Sequence, residues 1–418
     1  MLTQRPRGTE DILPGVVEHW QKLEASVREV CRLYNFREIR TPVFEHTELF
    51  ARGVGETTDI VEKEMYTFMD RGNRSLTLRP EGTAGVVRAY VENKLYGNAD
   101  AVKLYYIGAM FRYEKPQKGR DRQFHQYGCE VLGSEDPAVD AEVIALNLDI
   151  LDNLGVKNVA VELNSVGCSV CRPLHKEEMI RRLRPVADRL CADCQSRLER
   201  NPLRIFDCKN ESCQALLREF EAPTIIDSLC DDCRNHFDSV QSALTTMDVK
   251  FHLNPHLVRG LDYYTRTAWE YVADGYSSLG GGGRYNSLVA QVGGPETPGI
   301  GFAGGIERVL MVLEAQALGA KQEPQLDLYV VGVDEAGKRA AVTLLQKARQ
   351  HGFTADRDYL GRSVKAQFKA ADRLKARYVA VLGESEVEAE RVALKHLATG
   401  EQVELTWDDA IHQLSKGV

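Results

Sequence analysis

Phe111-Arg-Tyr-Glu-Lys-Pro-Gln-Lys-Gly-Arg-Asp-Arg-Gln-Phe-His-Gln-Tyr-Gly-Cys-Glu-Val-Leu132 reads as the turn and second strand of a β-hairpin. The run Ala101 to Met110, rich in Tyr, Ile, Leu and Val, predicts a buried first strand that delivers Phe111 and Arg112 to the turn. Pro116 and Gly119 stand there among Glu114, Lys115, Lys118, Arg120, Asp121 and Arg122, a set too charged for a core and too basic for a neutral turn. Beyond it, strand alternation puts Tyr127, Cys129 and Val131 on one face and Gln126, Gly128 and Glu130 on the other. The polar face has two readings. It is either the solvated side of an edge strand or a hollow ligand floor, with Gly128 marking a close approach. Arg112, expected across the hairpin from Gln126, favours the ligand.

The 418 residues, 43% hydrophobic and 27% charged, suit a globular protein of two to four domains. The first residues form no apolar signal region, and no run of roughly eighteen apolar residues occurs, so a cytoplasmic protein with no membrane partner is expected. A net charge of −8 argues against indiscriminate nucleic-acid binding but leaves room for local basic surfaces. Ten cysteines in such a chain are not expected to form disulfides.

Upstream of the hairpin, an irregular leader from Arg5 to Pro14 precedes a helix with Trp20, Leu23, Val27, Val30 and Tyr34 on one stripe, joined by Cys31. Phe36 to Phe44 reads as a strand interrupted by Pro42, hence at an edge or exchange point. Between Thr77 and Ala84 a strand turns into a helix at Pro80 and Gly82. Glu81 and Thr83 there suit an ammonium group, and Thr83 equally suits a helix cap.

Downstream come a helix from Pro137 to Leu154 and a strand over Val159 to Asn164. Composition then changes: Cys168-x2-Cys171, Cys191-x2-Cys194, Cys208-x4-Cys213 and Cys230-x2-Cys233 alternate with arginine-rich helices. These pairs suffice for two four-thiolate zinc sites, and they are equally compatible with reduced thiols in a module that folds without metal. Arg181, Arg182, Arg184, Arg189, Arg197, Arg200 and Arg204 make the module locally basic, as a phosphate-contacting surface or as solvated helix faces.

His256 to Trp269 leads a glycine-containing loop, with Arg259 and Asp262, into a β-branched and aromatic strand. Leu279-Gly-Gly-Gly-Gly-Arg-Tyr285 and Gly299 to Arg308 follow, backbone bare enough for a bulky ligand to lie against it. Gly299-x-Gly301-x-x-Gly304 fits a dinucleotide fingerprint only formally, since the glycines fall within a strand and no βαβ unit frames them. After hinge-like Gln322-Glu-Pro-Gln325, the strand Leu326–Gly332, helices over 335–349 and 363–375 and the strand 377–383 predict a separate α/β domain.

In these motifs the chain resembles class II aminoacyl-tRNA synthetases, specifically the bacterial type of the histidyl-tRNA synthetase family. Phe36 to Phe44 resembles motif 1, Phe111 to Leu132 motif 2 and Gly299 to Leu310 motif 3, while Leu257-Val-Arg-Gly-Leu-Asp-Tyr-Tyr-Thr265, Ser278 to Tyr285 and the leader Arg7 to Pro14 resemble the histidine-specific signatures. A related regulatory subunit of ATP phosphoribosyltransferase shares the core but lacks the Leu257 to Thr265 signature and the C-terminal domain. The resemblance implies an α+β catalytic core built on a six-stranded antiparallel sheet flanked by helices, in two parts at 1–167 and 248–321, with a helical Cys-rich insertion at 168–247 and an α/β anticodon-binding domain at 326–418. It implies ATP with Mg2+, histidine and tRNA(His) as reactants and a homodimer. Arg112 and Arg259 are implied as the catalytic α-phosphate clamp, with Arg308, Gly301 and Gly304 also binding ATP. Glu81, Thr83, Gln126, Glu130, Tyr263 and Tyr264 would bind histidine, and Lys115, Gln117, Lys118, Arg120 and Arg122 the acceptor end. Lys115 and Asp121 depart from the arginine and aromatic common at those places, and lysine lacks the bidentate fork.

Overall fold

A computed structural model describes residues 3–54, 58, 60–97, 100–276, 278–316 and 326–415 of the chain. The chain divides into two compact units, Met1–Gly319 and Ala320–Val418. The hinge expected at Gln322 to Gln325 lies outside the described residues.

In chain order the strands of the first unit are β1 (Arg37–Glu38), β2 (Phe44–His46), β3 (Thr67–Met69), β4 (Ser75–Leu78), β5 (Val102–Phe111), β6 (Gln123–Leu132), β7 (Val159–Ser165), β8 (Phe251–Leu253), β9 (Thr265–Ala273), β10 (Gly280–Arg284) and β11 (Gly299–Gly305). Eight of them form one sheet in the order β1-β5-β6-β11-β10-β9-β7-β8. From β5 to β7 every pairing is antiparallel. The expected six-stranded antiparallel sheet is therefore extended at each edge, by β1 parallel to β5 and β8 parallel to β7. These edge strands are only 2 and 3 residues long, too short for a two-residue periodicity to register.

Phe36 to Phe44 is not one interrupted strand. Arg37–Glu38 joins the large sheet and Phe44–His46 joins a second sheet of order β2-β4-β3. Pro42 lies between them, where a residue without an N–H ends one ladder and the chain changes sheets.

One face of the large sheet is covered by the helices Val17–Leu33 and Pro137–Asn153. Tyr127, Cys129 and Val131 of β6 pack there with Trp20, Leu23, Val27, Ile144 and Ile150, each large aliphatic chain contributing about 1.5–3 kcal/mol on burial. Cys31 belongs to this core, its Sγ 3.6 Å from that of Cys129. The second helix starts at Asp136, whose carboxylate accepts from the Ala138 N–H at 2.9 Å, with Pro137 at its first position.

That helix is tied to the sheet by a fully buried ion pair. Arg284 at the end of β10 donates from Nε to Asp140 Oδ2 at 2.8 Å and from Nη2 at 2.6 Å. Nη1 and Nη2 also donate to the carbonyls of Ser134 and Asp136 at 2.8 and 2.9 Å. His236, from the helix Asp231–Thr246 that closes the Cys-rich segment, reaches the same carboxylate at 3.2 Å.

The second unit carries β12 (Leu326–Gly332), β13 (Ala355–Arg357), β14 (Ala376–Leu382), β15 (Arg391–His396) and β16 (Gln402–Thr406) in the order β13-β12-β14-β15-β16. Pairings around β12 are parallel and those from β14 to β16 antiparallel. The expected alternation of strands and helices is present, with an antiparallel hairpin added at the end.

Asp140→Ala leaves Arg284 charged, buried and short of its anion, and is expected to cost about 3–5 kcal/mol. Urea unfolding followed by tryptophan fluorescence checks this through the midpoint; an unchanged midpoint contradicts it.

Candidate active site

The sheet face opposite the helices floors a cavity of about 490 Å3 whose walls include Arg112, Arg120, Gln126, Arg259, Tyr264 and Arg308. Glu81, Thr83, Tyr263 and Gly301 also line it. The structure thus brings together residues drawn from three distant stretches of sequence.

The glycines of β10 have a reason that sequence alone does not disclose. A Cβ on Gly281 would lie 2.7 Å from Arg259 Nη1, and one on Gly283 would lie 2.6 Å from the Tyr264 ring. The bare backbone is covered first by the protein's own signature side chains. Arg259 is paired with Glu270 of β9 and lies 5.9 Å from the Tyr264 ring centroid. Arg112 donates to the Pro80 carbonyl at 2.9 Å and packs over Phe124, while Arg308 donates to the carbonyls of Gly119 and Ser278 at 3.2 and 2.7 Å. Burial, with Arg120 and Arg112 nearby, pushes the Arg308 pKa down, and Glu114 and Glu270 offset part of this.

Beneath Thr83 and Tyr285, Glu130 is fully buried. One carboxylate oxygen accepts from the Thr83 hydroxyl at 2.8 Å and the other from the Tyr285 hydroxyl at 2.5 Å. A Cβ on Gly301 would collide with this carboxylate at 1.8 Å. Burial raises the Glu130 pKa to about 8, against the lowering by Tyr285 and Thr83, with Glu81 adding repulsion. Glu81 is also pushed up by burial. Its oxygens accept from the Thr83 and Ala84 N–H groups at 2.7 and 2.8 Å, so Glu81, and not Thr83, caps the helix Thr83–Glu92.

Several expectations need correction. Gln126 pairs with Gly108 across the hairpin, not with Arg112, whose N–H bonds the Arg122 carbonyl. The hairpin keeps pairing for three more residue pairs past that point, to Phe111 and Gln123, which strand composition cannot register. The hollow at Gly128 is filled, since a Cβ there would lie 2.5 Å from the Tyr106 ring of β5. Gly304 faces the core instead of the cavity: β11 alternates, and its missing side chain makes room for Tyr127, 2.5 Å from a Cβ. Gly305 lines the cavity. Among the acceptor-end candidates, Lys115, Gln117 and Lys118 are exposed, whereas Arg120 enters the cavity and bonds Glu114 at 3.3 Å. Arg122 stacks on Tyr113 at 4.0 Å, and its N–H holds the leader through the Gly8 carbonyl at 2.8 Å.

Sequence reading passed over Tyr285 and Glu270. A lone carboxylate in an apolar strand was the available signal for Glu270; Tyr285 stood in a quoted signature without a role. Buried in the cavity wall, the Gln126 carbonyl oxygen and Arg259 Nε make no hydrogen bond among the described residues, which points to a ligand that completes them.

The eight clustered cysteines form two groups, Cys168, Cys171, Cys230 and Cys233, and Cys191, Cys194, Cys208 and Cys213, each with its sulfurs within 4.8 Å. Sulfur separations of 3.6 Å (Cys168 to Cys171), 3.8 Å (Cys168 to Cys230) and 3.8 Å (Cys191 to Cys208) match the edge of roughly 3.8 Å for a tetrahedron with zinc–sulfur bonds near 2.3 Å. Backbone N–H groups of Val170 and Asn210 point at Cys168 and Cys208 sulfur at 3.4 Å, as thiolates require.

In the second unit, a cavity of about 350 Å3 opens at the carboxyl ends of β12 and β13, lined by Lys338, Arg339, Arg357 and Tyr359. No helix among the described residues is long and apolar enough to cross a membrane.

Two family models match the chain: "Histidyl-tRNA synthetase" over residues 8–309 and "Anticodon binding domain" over 327–417. A histidine–tRNA ligase of Desulfitobacterium hafniense is 55% identical over 412 residues, 98% of this chain and 97% of the relative. One from Moorella thermoacetica is 57% identical over 408 residues, covering 97% and 96%. Among solved structures, apo histidyl-tRNA synthetase of S. aureus superimposes with a TM-score of 0.84 at 41% identity, covering 99% of this chain and 100% of that one.

Because the folded Glu130 pKa lies near 8 and an exposed carboxyl titrates near 4.5, the protonated form is the one that burial favours. Its contribution is fully present below about pH 4.5 and is lost as pH rises through about 8. Glu130→Gln is therefore expected to gain stability relative to the parent between those pH values, by a few kcal/mol at most, and to gain no more above. Melting temperatures of both proteins across pH 4.5–9 check this; a difference independent of pH contradicts it.

Proposed function

The chain belongs to the histidyl-tRNA synthetase family, and we infer that it is a histidine–tRNA ligase. Histidine and ATP give histidyl-adenylate and pyrophosphate, and the histidyl group then passes to the 3′ end of tRNA(His). The observation that carries this reading is the cavity itself, where Arg112, Arg259 and Arg308 face a buried set of amino-acid-sized polar groups.

In the first step the histidine carboxylate oxygen bonds to the α-phosphorus as the bond to pyrophosphate breaks. Negative charge concentrates on the phosphoryl oxygens, so rigid guanidinium groups do the work that a nucleophile does elsewhere. Arg259 and Arg112 clamp the α-phosphate. Arg259 needs Glu270 to hold its fork, and Arg112 is aimed by the Pro80 carbonyl. Arg308 lies over the adenine or reaches the γ-phosphate, and the bare backbone of Gly301, whose missing side chain makes room for Glu130, lines the cavity beside it; Mg2+ enters with the nucleotide as part of the substrate.

For histidine, Gln126, Glu81 and Thr83 surround the ammonium group, while Tyr263, Tyr264 and the Glu130 carboxylate serve the imidazole. A ring that satisfies two polar partners is favoured over phenylalanine or leucine, which would leave them unpaired. Lys115, Gln117, Lys118 and Arg120 meet the tRNA acceptor end, and Arg122 supports that loop through the leader. The basic, aromatic-edged cavity of the second unit reads anticodon bases by stacking and charge. Val43, Phe44, Phe68 and Met69, 43–59% exposed around the small sheet, form the homodimer contact.

Each cysteine group holds one Zn2+ through its four thiolates, which supplies folding energy to the insertion and takes no part in the reaction. A cytoplasmic location follows from the role in translation.

Aminoacylation with histidine, ATP and tRNA(His) tests the whole reading: charging is expected with histidine and not with phenylalanine or leucine, and no charging overturns it. Arg259→Ala is expected to slow histidine-dependent pyrophosphate exchange roughly a hundredfold or more; an unaltered rate would remove Arg259 from the clamp. Protein purified without chelator should contain two zinc ions per chain by elemental analysis, and a metal-free, folded protein would end the zinc assignment.

A further inference from the structure

The loop from His256 to Tyr264 has the glycine strand on one side and the Cys-rich insertion on the other. Phe206 stacks on His256 at 4.9 Å, and Asn201 donates to Asp262 at 3.2 Å. Arg172 makes the connection nearest the cavity. Its Nη2 donates to the Tyr264 carbonyl and its Nε to the Val166 carbonyl at 3.1 Å. Its own N–H donates to the Cys168 carbonyl at 3.1 Å, within the turn that joins Cys168 to Cys171. Cys171 Sγ in turn accepts the Cys230 N–H at 3.1 Å.

The backbone held in this way is not one that the local sequence prefers. Arg266, two residues past Tyr264, has φ of 54°, in the left-handed region. It exchanges hydrogen bonds with Val166 and Gly167 at 2.7 and 2.8 Å. Such a conformation persists where surrounding contacts over-determine it, and Arg172 binds both sides of this crossing. A side chain that satisfies two carbonyls from separate segments fixes their separation. Here that separation sets where Tyr264 enters the cavity.

We propose that Arg172 is a positioning residue for the amino-acid site, carrying the order of the Cys168–Cys171 turn to the backbone of Tyr264. The insertion then does more than present a surface to nucleic acid: it holds the specificity loop against the sheet. The inference rests on the assignment of Tyr264 to histidine made above.

The test is equilibrium binding of histidine and of ATP, measured separately on the full-length protein and on Arg172→Met, Arg172→Lys and Tyr264→Phe. Arg172→Met is expected to raise the histidine Kd roughly tenfold and to leave the ATP Kd within about twofold, while Arg172→Lys, able to bond one carbonyl, recovers part of the loss. Wild-type histidine affinity in Arg172→Met, or an equal loss for both ligands, overturns the proposal. Should the methionine variant fail to fold, Arg172→Lys decides by the same split between ligands. If Tyr264→Phe binds histidine as the parent does, the site assignment falls and this inference with it. If Tyr264→Phe weakens binding and the Arg172 variants do not, this inference alone falls.

Discussion

A carboxylate and a guanidinium shut away from water hold the first unit together. Asp140 and Arg284 are both fully buried, and each guanidinium nitrogen is bonded to Asp140 or to a carbonyl near the helix start. Two desolvated charges are tolerable only with such complete satisfaction, so the pair fixes how the helix Pro137–Asn153 lies on the sheet. It also fixes β10, whose next residue is Tyr285. From there the Tyr285 hydroxyl reaches Glu130, and the insertion's last helix joins through His236. Core, insertion and cavity floor share one electrostatic anchor.

The cavity above this anchor is organised by a conflict of charges. Arginines converge where phosphates are to be neutralised, and carboxylates are placed to hold them before substrate arrives: Glu270 for Arg259 and Glu114 for Arg120. Below them Glu130 lies too deep for easy ionisation. Its environment favours a neutral carboxyl until a polar ligand changes it. Cations on the rim and a reluctant anion beneath suit a substrate that carries an ammonium, a carboxylate and a phosphate at once.

Much of this was legible in the residues. Alternation in β6 separated the core face from the site face correctly, because a period of two is a geometric property of any strand. Arg112 just past β5 and Arg308 in the first turn of the helix Ile306–Ala315 were legible from where the apolar runs end and begin. Two of the errors share a cause. Gly128 and Gly304 were read as room for ligand, and each is room for a tyrosine of the same protein. A glycine in a sequence announces an approach without saying what approaches. The register of Gln126 against Gly108 depended on where a long hairpin stops pairing, which the charged turn does not encode locally.

What the sequence by itself determined was the longer strands and helices, the motifs and the family that they resemble, since these depend on periodicity and on short strings of residue types. Only the tertiary structure decided which cysteines share a group, that Glu81 caps a helix while Thr83 serves Glu130, and that Arg172 of the insertion holds the backbone of Tyr264. Those relations join residues 47 to 92 positions apart in the last two cases, and hydrogen bonds and thiolate clusters are set by separation in space, which a sequence does not state until the chain has packed.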